Sequence, residues 1–458
     1  MIRIQVNKNK MKEIEKKHWE WFKKTGKQNL ENYLYKKIYK DKEEEKEIPQ
    51  DIYNLLKFLN EQNRIESIVK GNLIVKTDKY NSIDNIIEEI KYEFPFLFES
   101  LTKSSISDFL NQIRLQLEKV RNADNIKDKT NISFIKNSIK KFFEAEKEAI
   151  KTDYNEILNI IDSIKITGRG IENLSKIENK FKVEINEELK LILNNIFDYN
   201  SFVRGDKINF ENKLIRWGAY ELLNELKITT CPYCNRQYIH TYISEHGKTR
   251  ADIDHFYPKS KYPFLAVSLY NFIPSCHVCN SSFKGSIDFY KNKCIYPYEE
   301  EFGQYAKFET NFYTDKTKET YDINYLLGNS NNFEIKLSID EDKIKDNLIE
   351  KSKKQNKKID LEKECNDYIQ KINNSKETFN LKALYNFHKD YVREIIKKAI
   401  IYNDSRIDEL YNQYPELFSN REEVLQMVVS NYTCDEDLGK RPLAKLTKDI
   451  CEELGLKY

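Results

Sequence analysis

Residues 252–280, DIDHFYPKSKYPFLAVSLYNFIPSCHVCN, bring together residue types that bind metal ions and transfer protons. Asp254 and His255 are neighbours, Asn271 follows, and Asn280 comes directly after a Cys-x2-Cys pair. A histidine titrates at about pH 6.5 and can accept a proton from water at neutral pH. Carboxylate and amide oxygens are ligands that Mg²⁺ prefers. The spacing therefore predicts either a metal site that performs chemistry or a zinc-stabilised fold that happens to carry a histidine.

Two Cys-x2-Cys pairs, Cys231 with Cys234 and Cys276 with Cys279, flank most of this stretch. Two thiolates from each pair suit one tetrahedral Zn²⁺ ion, with Zn–S bonds of about 2.3 Å. When the protein fills all four positions, the ion stabilises the fold and has no open position for catalysis. The pairs therefore predict a structural zinc site.

Two alternatives for these cysteines stay open at this stage. The four thiols could be separate and buried, or a histidine could replace one cysteine in the zinc set. The histidines near enough in sequence for that role are His240, His246 and His277. The other cysteines have no paired spacing, which favours thiols packed in the core. They are Cys294, Cys365, Cys434 and Cys451.

A strand and a helix must position the acid, the histidine and the last asparagine. Side chains alternate along a strand, so Asp252 and Asp254 share one face while His255 points to the other. Asp252 is better explained as an acid that fixes a loop than as a metal ligand. Pro258 cannot donate to a strand ladder, which predicts that the strand ends before it. A second strand through VSLYNFI and a helix within SCHVCNSSFKGSIDFYK complete a ββα arrangement around a cation.

This arrangement resembles the HNH endonuclease family, in which a ββα-metal motif lies between zinc knuckles in many members. The residues that carry the resemblance are Asp254, His255, Asn271 and Asn280, together with the four paired cysteines, and it covers residues 228–290. The resemblance implies that His255 is the general base and that Asp254 and Asn280 hold one catalytic Mg²⁺ or Mn²⁺ ion. It implies that Asn271 is a buttress for the loop.

Two positions depart from the family pattern. The last position is Asn280 where the family name implies histidine, a common variant that replaces a nitrogen ligand by oxygen and favours Mg²⁺ over softer metals. Lys284 stands one residue later than the lysine that often follows this position, which puts its role as a phosphate contact in doubt.

Positive charge is predicted around the proposed metal. Lys259, Lys261 and Lys284 are the expected substrate contacts, with Lys248 and Arg250 nearby. The aromatic residues between them are Tyr257, Tyr262 and Phe264. Such a set can hold phosphates and stack against bases, although the same residues could form an ordinary loop.

The composition indicates a folded, mainly helical chain. Of 458 residues, 33% are charged and 40% are hydrophobic, a length that predicts two or three domains. Because 76 basic side chains balance 74 acidic ones, any surface for a nucleic acid must be local. AKFETNFY and NNFEIKLSID alternate as strands do, whereas DIYNLLKFLNEQNRI and SSISDFLNQIRLQLEKVRNA have helical periodicity.

The predicted fold is mainly α, with a small α+β ββα-metal module pinned by a four-cysteine zinc site. Its segments are a helical region at 1–227, the nuclease module at 228–300, and a short β segment followed by helices at 301–458. We interpret DLGKRPLAKLTKDICEEL, near the end, as a helix that caps the module.

We expect a cytoplasmic protein, because no run of 18 apolar residues occurs and the first residues do not resemble a signal peptide. No phosphate-loop motif is present, so this chain should not hydrolyse ATP itself. The expected function is metal-dependent cleavage of nucleic acid, with DNA favoured over RNA. By analogy in organisation, the long flanks suggest a subunit of a bacterial anti-phage system of the Septu or retron-associated kind, controlled by a separate ATPase.

Two other functions stay open. One is an RNA-cleaving toxin, for example one that acts on transfer RNA, because the same metal site attacks either polymer. The other is a zinc-stabilised module that binds nucleic acid or protein without chemistry.

Overall fold

A computed structural model describes residues 1–42, 44–61, 64–71, 83–102, 186–312, 323–355 and 359–456, with positions 137, 140, 159 and 162. The described chain is mostly helical and contains small antiparallel sheets of two strands each. The helix predicted in SSISDFLNQIRLQLEKVRNA lies outside the described residues. No helix in the described part of the chain is long and apolar enough to cross a membrane.

The first helices are amphipathic and bury one face each. In the helix over Gln50–Asn60, the buried residues Ile52, Leu55, Leu56 and Leu59 follow the spacing of three and four that a helix requires. These helices are α1 Lys8–Phe22, α2 Gln28–Lys36, α3 Gln50–Asn60, α4 Arg64–Lys70, α5 Ile83–Glu93, α6 Pro95–Thr102, α7 Asn186–Ile196, α8 Tyr199–Arg204 and α9 Ala219–Leu226. A π-helical segment, Lys23–Lys27, joins α1 to α2.

Two hairpins interrupt this helical region and were not predicted. The first pairs β1 Ile38–Asp41 with β2 Glu44–Glu47, and the second pairs β3 Asp206–Phe210 with β4 Lys213–Trp217. Glu211 and Asn212 join the second pair with φ values of 50° and 63°. A two-residue turn with positive φ at both positions matches the twist of an antiparallel hairpin. The strands are too short for their alternation to stand out beside the helices.

The central segment contains two further hairpins, followed by a helix. Strand β5 Tyr242–Ser244 pairs with β6 Gly247–Thr249, and β7 Asp252–His255 pairs with β8 Phe272–Ser275. The second strand of the predicted motif begins later than VSLYNFI suggests, because Leu269–Asn271 form a 3₁₀ turn.

The helix predicted to carry Asn280 is a π-helix over Val278–Lys284, in which the Gly285 amide donates to the Asn280 carbonyl at 2.9 Å. Such segments occur often at functional sites. A short helix, α10 Phe289–Asn292, follows.

Both strands predicted after the central segment are confirmed. They are β9 Ala306–Phe312 and β10 Phe333–Ile339, paired antiparallel. The helices that follow β9 are α11 Ile323–Leu326, α12 Glu341–Gln355, α13 Leu361–Thr378, α14 Leu381–Asn386, α15 Lys389–Ile401, α16 Asp404–Gln413, α17 Arg421–Val429 and α18 Ala444–Glu453.

The three predicted segments share one core. A single cluster of buried apolar side chains draws on residues from Met1 to Leu456. The segment before α18 lies on the first cysteine pair, since the Thr230 hydroxyl donates to the Gly439 carbonyl at 2.7 Å. The loop that leads into α18 therefore packs against the residue next to Cys231.

Candidate functional site

The four paired cysteines form one buried cluster that can hold a metal ion such as zinc. Their sulfur atoms all lie within 4.8 Å of one another, and Cys234 Sγ is 3.9 Å from Cys276 Sγ. Four thiolates around one Zn²⁺ with bonds of about 2.3 Å would be about 3.8 Å apart, so the cluster fits that ion. All eight cysteines are free thiols, and the four without paired spacing lie outside this cluster.

Distant parts of the chain hold the first cysteine pair in place. The Tyr385 hydroxyl donates to the Cys234 carbonyl at 2.6 Å. Asn235, in the left-handed conformation with φ of 48°, donates its amide to the Leu438 carbonyl at 2.9 Å. In return, its Oδ1 accepts from the Lys445 backbone amide at 3.0 Å. The pair is therefore fixed from two sides by residues that follow it by 150 or more positions.

The side chains of Asp254, Lys284 and Tyr233 form a buried group, here called the inner cluster. Lys284 Nζ lies 2.9 Å from Asp254 Oδ1, and the Tyr233 hydroxyl donates to Asp254 Oδ2 at 2.6 Å. Lys284 also donates to the His255 carbonyl at 2.6 Å. The side chains of Asp254 and Lys284 are only 3% and 1% exposed. Burial raises the pKa of the Asp254 carboxyl, and the Lys284 ammonium opposes that shift.

A second group, here called the outer cluster, surrounds Asp252 and is open to solvent. Asp252 Oδ2 lies 3.0 Å from His277 Nδ1 and accepts from the Asn280 amide at 3.1 Å. The side chains of Asp252 and His277 are 33% and 77% exposed. The structure thus places Asn280 against Asp252, whereas the family resemblance pairs it with Asp254. His277, considered as a zinc ligand from sequence, faces Asp252 instead.

His255 is the last residue of β7 and has one ring nitrogen fixed. Its Nε2 lies 2.9 Å from the Ala266 carbonyl, so that nitrogen carries the hydrogen and Nδ1 carries the lone pair. The ring packs edge-on against Tyr199, with centroids 4.5 Å apart, and against Phe272. Burial, with the nearby lysine charges adding to it, lowers the pKa of His255 to about 3. The imidazole is therefore neutral at neutral pH.

Asn271 has the contacts of a loop buttress. Its Oδ1 accepts from the Tyr257 amide at 2.7 Å, and its Nδ2 donates to the carbonyls of Tyr257 and Leu265 at 3.0 Å each. The side chain is fully buried, so these bonds have no competition from water. They close the loop between β7 and β8, which also carries the Ala266 carbonyl that holds His255.

The three predicted substrate lysines lie in different surroundings. Lys259 is exposed, and its Nζ lies 4.1 Å from the centre of the Tyr199 ring that touches His255. Lys261 lies 3.7 Å from the carboxylate of the buried residue Asp288. Lys284 belongs to the inner cluster, so its ammonium serves Asp254 and does not face a substrate. Lys259 alone of the three therefore combines exposure with proximity to the histidine.

The aromatic residues expected to stack against bases are core residues. Tyr257, Tyr262 and Phe264 are all buried. Tyr257 bonds Asp84 of α5 through its hydroxyl, and Tyr262 bonds Asp288 at 3.1 Å. The prediction that these rings contact bases is therefore wrong. All three rings are packed in the core, and the two tyrosine hydroxyls are hydrogen-bonded to carboxylates.

Sequence reasoning missed the exposed hairpin of β5 and β6. Tyr242 and Ile243 on it are 60% and 51% exposed. Lys248 and Arg250 lie over the Tyr220 ring at 5.1 and 5.6 Å. The mixture of β-branched and aromatic residues in ITTCPYCNRQYIHTYI was the available signal. The hairpin leads directly into β7.

A second buried histidine supports the same loop from the other side. His18 of α1 has Nε2 2.8 Å from the Val267 carbonyl, and its Nδ1 accepts from the Trp217 indole at 3.3 Å. Burial lowers the pKa of His18 to about 4. His18 and His255 thus donate to adjacent carbonyls, and no sequence pattern links α1 with this loop.

Comparison of the chain with models of protein families, with curated proteins and with solved structures gave no match.

Proposed function

We propose that this protein is a metal-dependent endonuclease that hydrolyses phosphodiester bonds, with DNA as the favoured substrate. The observation that carries the proposal is the orientation of His255. It ends one strand of a two-stranded hairpin, has one nitrogen committed to the Ala266 carbonyl, and keeps the lone pair of the other. The hairpin leads through a cysteine pair into the helix of Asn280, which is the order of elements that the HNH resemblance implies.

The fixed imidazole suits general-base chemistry. Its committed nitrogen cannot rotate away without breaking the bond to Ala266, so Nδ1 keeps one direction. The neutral ring can accept a proton from water, and the Ala266 carbonyl stabilises the charge that the ring then acquires. Burial opposes that charge, so a phosphate group or hydroxide nearby would have to raise the pKa of His255 from about 3 during the reaction.

The surroundings offer groups for the substrate and for an ion. Lys259 is exposed beside Tyr199 and can contact a phosphate. The outer cluster contains a partly exposed carboxylate and an amide, a donor set that fits a hydrated divalent cation. A bound Mg²⁺ or Mn²⁺ ion would neutralise charge on the phosphate and on the leaving oxygen. A zinc ion held by the cysteines would stabilise the fold and would take no part in catalysis.

Cleavage of plasmid DNA tests the proposal. Zinc-loaded protein with Mg²⁺ or Mn²⁺ should nick the plasmid, and His255→Ala should reduce the rate by about 100- to 10,000-fold, the usual contribution of a general base. The matched control is His246→Ala, which removes an exposed histidine of the β5–β6 turn. Zinc content and circular dichroism should be unchanged in both variants.

A folded His255→Ala variant with the wild-type rate would contradict the role of His255. If the purified protein cuts neither polymer with any divalent metal, yet binds nucleic acid in a salt-sensitive way, the non-catalytic alternative holds. Labelled DNA and transfer RNA incubated in parallel, with mapping of the cut ends, decide between DNA cleavage and the RNA-cleaving alternative. A cytoplasmic anti-phage role with a separate ATPase is part of the proposal, and the analogy in organisation of the long flanks supports it.

A further inference from the structure

The outer cluster differs in composition from the metal site that the family resemblance implies. We propose that Asp252, His277 and Asn280 together bind the divalent cation, and that Asp254 does not. The inference rests on the proposed function for its purpose, but its evidence is the geometry of these three side chains.

The distances within the outer cluster suit ligands of one ion. His277 Nδ1 and the Asn280 amide lie 3.0 and 3.1 Å from the same oxygen, Asp252 Oδ2. Neighbouring ligands in an octahedron with bonds of about 2.1 Å are about 3 Å apart. The Asn280 amide presents its oxygen in place of its nitrogen after a half turn, at no cost in shape. The three groups can therefore surround an ion with little rearrangement.

Asp254, in the inner cluster, is less available to a cation than Asp252. One oxygen of that carboxylate accepts from Tyr233, and the other faces the Lys284 ammonium. A cation at Asp254 would have to displace a buried ammonium that is 1% exposed, which would leave Lys284 charged and unpaired. Leaving one charge of a buried pair without its partner is strongly unfavourable. Asp252 has the same position on the strand face and no such competitor among the described residues.

An unsatisfied hydroxyl beside Asp252 points to the same site. Ser275 is directly opposite Asp252 in the β7–β8 register, so the two side chains leave the hairpin on one face. Ser275 is fully buried, and its hydroxyl has no hydrogen-bond partner within the described chain. A buried hydroxyl of this kind is expected to have a partner. Water in the shell of an ion at Asp252 would supply one.

The nitrogen of His277 sets the preference among ions. A set of one carboxylate, one amide oxygen and one imidazole is less suited to Mg²⁺, which prefers oxygen, than to Mn²⁺ and later transition metals, which accept imidazole. Asn280 alone predicts the opposite preference. The site should therefore bind Mn²⁺ more tightly than Mg²⁺, and His277 should be the reason.

The assignment is tested by measuring Mn²⁺ binding to the zinc-loaded full chain at pH 7.5 by electron paramagnetic resonance. Asp252→Asn should weaken Mn²⁺ binding at least tenfold. His277→Gln should weaken Mn²⁺ binding and reduce the advantage of Mn²⁺ over Mg²⁺ in competition. Asp254→Asn, where it folds, should change Mn²⁺ affinity less than threefold. If Asp252→Asn binds Mn²⁺ as the wild type does, the assignment is overturned, whether or not the Asp254 variant folds.

The assignment and the proposed function fail separately. Mn²⁺ binding that depends on Asp252, in a protein that cuts no nucleic acid, keeps the site and removes the nuclease proposal. Cleavage that depends on His255, with Mn²⁺ binding unaffected by Asp252→Asn, keeps the nuclease and overturns the site.

Discussion

The inner and outer clusters are built on two carboxylates of the same strand face, two residues apart, yet these carboxylates differ in exposure and in partners. Asp254 is buried and uses both oxygens within the protein, whereas Asp252 is one-third exposed and uses one. A carboxylate whose partners are all internal holds secondary structures together. One whose second oxygen is free to solvent can take a ligand. The difference teaches that position on a strand face does not settle which acid binds.

The largest expected effect comes from removing the support that both clusters share. Cys276→Ser removes one of the four candidate zinc ligands, next to His277 and two residues before the helix that carries Asn280. We expect loss of bound zinc and of structure over residues 228–300, because a metal that binds only the folded state supplies folding free energy. Hydrogen exchange and zinc analysis measure both.

The control for this change is Cys434→Ser, which replaces a partly exposed thiol outside the metal cluster and should keep zinc and fold. Should Cys276→Ser remain folded and active, the zinc site does not organise the clusters.

A smaller effect separates the two clusters. Lys284→Met leaves the buried Asp254 carboxylate without its counter-charge and should lower the free energy of unfolding by about 3–5 kcal/mol. Asp252→Asn in the outer cluster should lower it by less than about 1 kcal/mol, since exposed ion pairs contribute little. Urea unfolding of the zinc-loaded proteins measures the difference. Equal losses in the two variants would remove the distinction between the clusters.

The smallest effect concerns pH. Because burial lowers the pKa of His18 to about 4, the unfolded chain, whose histidine titrates at about 6.5, binds the proton first as pH falls. Stability is therefore fully present above pH 6.5 and decreases between pH 6.5 and 4, by about 3 kcal/mol at most. His18→Gln should flatten this dependence, with part of the slope remaining because His255 has the same sign.

Urea unfolding at pH 7, 5.5 and 4.5 measures this effect. An unchanged slope in the His18→Gln variant would mean that folding does not lower the pKa of His18.

The sequence predicted the parts of the site that depend on local spacing. The cysteine pairs, the end of β7 before Pro258 and the strands β9 and β10 each follow from residue type and period, and the structure contains all of them. The hydrogen-bond partner of Asn280 could not be predicted from local spacing. Alternation puts Asp252 and Asp254 on one face but cannot say which of them meets a helix that follows twenty-odd residues later.

Lys284 shows the same limit from the helix side. It lies four residues after Asn280, a spacing that puts two side chains on one face of an α-helix. The π-helical winding instead puts the two side chains in different clusters. The Tyr233 hydroxyl, which completes the inner cluster, comes from the other cysteine pair. Contacts between residues so far apart in the sequence decide which side chains are buried, and they leave no periodic pattern in the sequence.

The bond between Thr230 and Gly439 spans 209 residues, and this separation has a consequence for synthesis. At about 5–20 residues per second, a ribosome needs about 10–40 s to add the residues between them. During that time the first cysteine pair emerges without the loop that later covers it. Nascent chains should therefore expose these thiols to oxidants and to competing metals, so zinc supply and redox state during translation should affect the yield of folded protein.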